Sequence, residues 1–102
     1  MLDGKETIME KAMLVAIIQR DENKFVVEEH LNELEMLADT AGAETILKII
    51  QDRPAPDKAH YVGKGKAEEL AELAELNDIQ IVIFDADLSP TQVRNLEKIV
   101  DR

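Results

Sequence analysis

The hydrophobic positions of this chain fall into two alternating kinds of pattern. Ala12 to Ile18 is a short, unbroken apolar run, and Gln19 to Asn23 after it is polar. Continuous apolarity over seven residues predicts a strand buried on both faces, as in a parallel sheet. The period then changes. Val27, Leu31, Leu34, Ala38 and Ala41 recur at three- and four-residue steps, which predicts a helix over about 26–40 with these residues on one stripe. Gly42 follows, suited to the left-handed conformation that closes a helix. Thr45 to Ile50 predicts a second strand. Lys48 in its middle marks either a sheet edge or a lysine that snorkels to solvent.

Arg53-Pro54-Ala55-Pro56-Asp57 breaks the regular pattern, since two prolines at alternate positions favour an extended loop. The segment Tyr61 to Lys66 leads into a second helix. Its inner stripe is Ala67, Leu70, Ala71 and Ala74, and Asn77 and Asp78 end it. Ile79 to Phe84 predicts a third strand, stopping at Asp85. A third helix opens at Ser89-Pro90-Thr91-Gln92, a capping box with proline at the first helical position, and buries Val93, Leu96, Ile99 and Val100. The order is β-α-β-α-β-α. It predicts an α/β fold: a small, mostly parallel sheet flanked by helices and joined by right-handed crossovers. Residues 1–10 lack a period and read as a flexible tail, leaving a single domain over 11–102.

Composition narrows the function. With 102 residues and 45% hydrophobic content, the chain supports one core, which is aliphatic because Phe25, Tyr61 and Phe84 are its only aromatics. There is no cysteine, which excludes disulfides, thiolate metal sites and a cysteine nucleophile and fits a cytoplasmic location. His30 and His60 do not make a zinc site, and no metal ligand set is expected. No apolar run is long enough to span a membrane, and no secretion signal opens the chain. The net charge of −10 opposes broad contact with nucleic acid, so any such contact must be local. The charge is uneven. Glu28 to Asp39 contains five acids and no lysine or arginine, whereas Arg53 to Lys66 contains Arg53, Lys58, Lys64 and Lys66 against Asp57 alone.

An open parallel sheet binds ligands outside the carboxyl ends of its strands. That rim is expected to gather Gln19, Arg20 and Asp21, then Gln51, Asp52 and Arg53, then Asp85 and Asp87. Gly63-Lys64-Gly65-Lys66 at a helix start offers free N–H groups and positive charge to an anion. The same residues also read as a glycine-rich turn with two solvated lysines. The segment is not a Walker A loop, because it lacks the Gly-x4-Gly-Lys-Ser/Thr spacing. The candidate anion, nucleotide or RNA site therefore comprises Arg53, Tyr61, Gly63, Lys64, Gly65, Lys66 and Asp85. Tyr61 either stacks on a base or packs in the core, and Asp85 and Asp87 either bind magnesium or act as acid and base, or they simply cap the next helix or hold a loop. Arg94 and Asn95 on the third helix either contact a partner or cap the neighbouring loop. No catalytic set is visible.

Five blocks, in order, carry a family resemblance: Ala38-Asp39-Thr40-Ala41-Gly42-Ala43-Glu44; Arg53-Pro54-x-Pro56-Asp57; Tyr61 to Leu70; Ile81-Val82-Ile83-Phe84-Asp85; and Leu88 to Glu97. Across about residues 12–98 the chain resembles the N-terminal domain of the HflX family of ribosome-associated GTPases. The resemblance implies a parallel α/β subdomain that precedes a helical segment and a P-loop G domain. It implies a parent that binds GTP and magnesium in that G domain, associates with the large ribosomal subunit and its RNA, and in some members splits ribosomes under stress. The chain contains none of the G-domain motifs and looks truncated before them, so it is expected to be non-catalytic and to hold no cofactor of its own. Its partners would be the ribosome and its own G domain, with homodimerisation possible for an isolated fragment. Two other readings stay open: a nucleotide-binding or weakly hydrolytic domain, since some members bind ATP in this region, and a structural cover for the G domain.

Overall fold

A computed structural model describes residues 9–101. Three strands, β1 (Glu10–Ile18), β2 (Ala43–Asp52) and β3 (Ile81–Phe84), alternate with three helices, α1 (Lys24–Thr40), α2 (Lys64–Leu76) and α3 (Pro90–Val100). The sheet order is β2-β1-β3, and both pairings are parallel. The expected α/β class and element order are therefore observed. The proposed tail over 1–10 lies mostly outside the described residues, and Glu10 already belongs to β1.

β1 is the central strand, which explains its unbroken apolar run. Met13, Val15 and Ile17 face one side and Leu14, Ala16 and Ile18 the other, all buried. The first set packs with Leu70 and Ala74 of α2 and Leu96 and Val100 of α3. The second packs with Val27 and Leu31 of α1. Two layers of helix thus cover the two faces, as period-2 alternation in a central strand requires.

β2 is an edge strand, and Lys48 also reaches out of it: its ammonium donates to Asn32 Oδ1 (3.0 Å) and pairs with Glu35 on α1. Both alternatives read from Lys48 thus hold together. The register skips Ile46, since Ala12 pairs with Thr45 and Met13 with Leu47, which makes a bulge in β2. β3 is shorter than the apolar run predicts. Ile79 is buried in the core but precedes the ladder, while Asp78 takes a left-handed turn (φ 54°) and Gln80 bonds to Lys11 through its main chain and its side chain.

Local signals set the helix ends. Asn23 caps α1 by accepting from the Phe25 N–H at 2.8 Å. Ser89 and Gln92 form the expected reciprocal capping box of α3, at 3.1 and 2.9 Å. α2 begins differently. Gly63 stands at its N-cap with φ 89° and supplies no side chain to the first turn.

Candidate functional site

The carboxyl ends of β1 and β3 and the loop before α2 form one rim. The Asp57 carboxylate organises the loop from within. Asp57 Oδ2 accepts from the N–H groups of Ala59 (3.0 Å) and His60 (2.7 Å), and main-chain bonds of 2.8 and 2.9 Å join Asp57 to Tyr61. These bonds, chiefly that from His60, hold the Asp57 carboxyl below its ordinary range against the opposing effect of burial, and the Arg53 guanidinium helps. α3 clamps the same loop: Gln92 Nε2 donates to Asp57 O at 2.8 Å and Asn95 Nδ2 to Ala59 O at 2.9 Å. Asn95 therefore does the loop-capping job. Arg94 is exposed, with no bond to that loop.

Arg53 is a strut across the other end of the loop. Its Nε donates to Ala55 O (2.9 Å) and its Nη1 to Val62 O (3.2 Å), with Asp57 4.0 Å away. The guanidinium lies against Gly63, where a Cβ would stand 2.8 Å from Nη1. Glycine is needed there twice over, for its positive φ and for this close approach. With no side-chain cap, the first amides of α2 stay open around Gly63 to Lys66. Lys64 and Gly65 are exposed, and Lys66 pairs with Glu69 at 3.3 Å.

Tyr61 points the other way. Its backbone takes a left-handed φ of 62°, and the Val62 N–H closes a tight turn onto His60 O at 2.6 Å. Its side chain is buried, with the ring edge-on to Phe84 at a centroid distance of 5.7 Å. The ring is core packing. The hydroxyl emerges at a cleft of about 340 Å³ between the ends of β1 and β3, lined also by Gln19, Glu22, His30, Asp85, Asp87 and Gln92. Burial, then the negative charges of Asp85 and Glu22, push the phenol above its ordinary value, while the nearby Ile17 backbone amide opposes them.

The expected site residues thus divide. Tyr61 and Asp85 meet in the cleft. Arg53 braces Gly63 and lines a neighbouring hollow with Arg20, Lys24 and Asp52. Lys64 and Lys66 line neither cavity. Glu22, His30 and Gln92 are cleft residues that the sequence reading missed. Gln92 was legible as a helix cap, but nothing local signals that its other end reaches Asp57, 35 residues away. Among the described residues, no group of three metal-ligating side chains stands close enough to hold an ion, and no helix is long and apolar enough to cross a membrane.

Residues 28–102 match the family model described as GTP-binding GTPase N-terminal. The chain is 49% identical over 98 residues to GTPase HflX of Caldanaerobacter subterraneus subsp. tengcongensis, covering 91% of this chain and 22% of that protein. It is 37% identical over 98 residues to GTPase HflX of Flavobacterium psychrophilum (95% and 24%) and 39% identical over 92 residues to that of Escherichia coli K12 (90% and 21%). The chain therefore spans under a quarter of the length of the curated relatives it matches. By this match the chain belongs to the GTP-binding GTPase N-terminal family, the N-terminal region of HflX.

Proposed function

We propose that this chain is a non-catalytic binding domain of an HflX-like GTPase, and that it helps its parent dock on the large ribosomal subunit. One observation carries the reading: on a chain of net charge −10, the open start of α2 concentrates Lys64 and uncapped amides where the fold leaves them exposed. Backbone phosphates of ribosomal RNA are the ligand such a turn suits. GTP binding and hydrolysis, with magnesium, fall to a G domain, since this chain lacks a P-loop pattern. The setting is cytoplasmic, where the ribosome is.

Co-sedimentation of the chain with large ribosomal subunits tests this. Binding should weaken steeply with salt, and the Lys64→Ala/Lys66→Ala pair should lower it by about tenfold with a shallower salt slope. Binding that is indifferent to salt and to the double substitution removes the turn from the mechanism.

A second reading has one observation in its favour. A mainly apolar groove of about 140 Å³ runs between β3 and α3, lined by Val82, Phe84, Leu88, Val93, Leu96 and Val100, together with the charged Glu97. It supports the role of structural cover against a neighbouring domain. Light scattering that finds only monomer at high concentration, with no binding of a hydrophobic dye, counts against it.

A further inference from the structure

The cleft beside Tyr61 has the opposite character from the turn at Gly63. Glu22, Asp85 and Asp87 line it, and no lysine or arginine does. A phosphate is repelled there. A bare divalent ion is poorly served too, because no group of three ligating side chains among the described residues is close enough to hold one. The cleft is nonetheless a built cavity rather than a patch of surface acids. Its floor is the hydroxyl of Tyr61, a side chain only 6% exposed and fixed by Phe84. No protein group among the described residues accepts the hydroxyl's proton. Asp85 makes no hydrogen bond or ion pair with any described side chain, although it sits at the end of β3, where its N–H is held by Val15 O at 2.8 Å. Ala16, Val27 and Pro56 add apolar lining.

An occupant must therefore be cationic at its head, rich in donors, and apolar along a stem. Guanidinium meets these terms better than ammonium: it is planar, weakly hydrated, and can engage a carboxylate and the phenol oxygen together, while Tyr61 turns its own proton to a carboxylate. We propose that this cleft is a receptor for the side chain of an arginine presented by a protein partner, with Asp85 as its main anchor and Tyr61 as its floor. The site is separate from the phosphate contact inferred at Lys64, and either can fail without the other.

The test is an amide-resolved NMR titration of the chain with N-acetylarginine amide. Matched titrations use the citrulline analogue, which has the same shape and no charge, the lysine analogue, and free L-arginine. The arginine amide should shift the amides of Ile17, Gln19, Asp85 and Ala86, with a dissociation constant on the order of millimolar. The citrulline and lysine analogues should bind at least about fivefold more weakly. Asp85→Asn should weaken the arginine amide by about fivefold, and Asp87→Asn by less. Both substitutions lie at exposed or half-buried positions, so the amide spectrum reports whether the fold is kept. Equal binding of the citrulline or lysine analogue overturns the assignment. So do shifts confined to the acidic face of α1, no shifts at all, or unchanged binding to both variants. Binding of free L-arginine without the amide overturns a protein source.

Discussion

The two faces of the sheet are covered unequally. On one, α2 and α3 pack against β1 and each other, and eleven buried residues form a single cluster. On the other, α1 alone covers the sheet, with Val27 and Leu31 meeting Leu14, Ala16 and Ile18. α1 has 17 residues but buries only three of them, while Phe25, Met36 and Leu37 stay 63–70% exposed. The face with two helices also carries the loop that shapes the rim, because Gln92 and Asn95 of α3 hold it. Stability and site geometry are thus concentrated on the same side. Helix α1 closes the other side of the sheet and contributes His30 and Val27 to the cleft.

Matched core truncations test that inequality most directly. Leu70 and Leu31 are both essentially inaccessible. Leu70→Ala leaves its hole in the larger cluster, whose neighbours are pinned from three elements, and should cost about 4 kcal/mol. Leu31→Ala lies under a single helix that can settle inward, and should cost about 2–3 kcal/mol. Urea unfolding at constant slope measures both. Equal losses, or a larger one at Leu31, would mean that α1 is as firmly seated as its opposite pair.

A smaller effect separates two glycines with nearly the same backbone angle. Gly42 (φ 96°) closes α1 with open space around its missing Cβ, whereas a Cβ on Gly63 (φ 89°) would stand 2.8 Å from Arg53 Nη1. Gly42→Ala should cost about 1 kcal/mol for the positive φ alone. Gly63→Ala adds the displacement of the Arg53 strut and should cost about 2 kcal/mol. The same unfolding measurement, repeated with Arg53→Ala beneath Gly63→Ala, should recover the difference. If it does not, the guanidinium is no constraint on the turn.

Most of the fold was legible because its signals are local or periodic. The run at Ala12 to Ile18 announced a strand buried twice, and Ser89 with Gln92 announced the start of α3 within one turn of chain. The strand limits were less legible. Gln51 and Asp52 extend β2 because an edge strand tolerates polar residues, while Ile79 is core without being ladder. The rim was legible as a place and not as a shape. Strand ends named Gln19 and Asp85. The division into an acidic cleft and a separate basic turn depends on which way Tyr61 points, and a left-handed tyrosine at φ 62° is a conformation no sequence pattern announces. The bonds that fix it span 35 and 36 residues, from Gln92 to Asp57 and from Asn95 to Ala59.

The smallest expected effect at neutral pH concerns the carboxylate that organises this loop. Asp57 ionises more readily in the folded chain than in the unfolded one, because its charged form accepts the His60 and Ala59 amides beside Arg53. The folded state therefore binds this proton less tightly than the unfolded state. Its contribution is present in full above the unfolded carboxylate value, about pH 4, and is lost as the pH falls through the lower folded value. Asp57→Asn keeps an oxygen for the two amides and removes the charge. Stability of the variant should follow wild type near pH 7 with a modest offset, and fall less steeply below about pH 4. Chemical unfolding across pH 3–7 measures this, with the Tyr61 amide as a local reporter. Parallel acid limbs in the two proteins would assign the loop's rigidity to its main-chain bonds and the α3 clamp, and leave the charge of Asp57 no part in shaping the site.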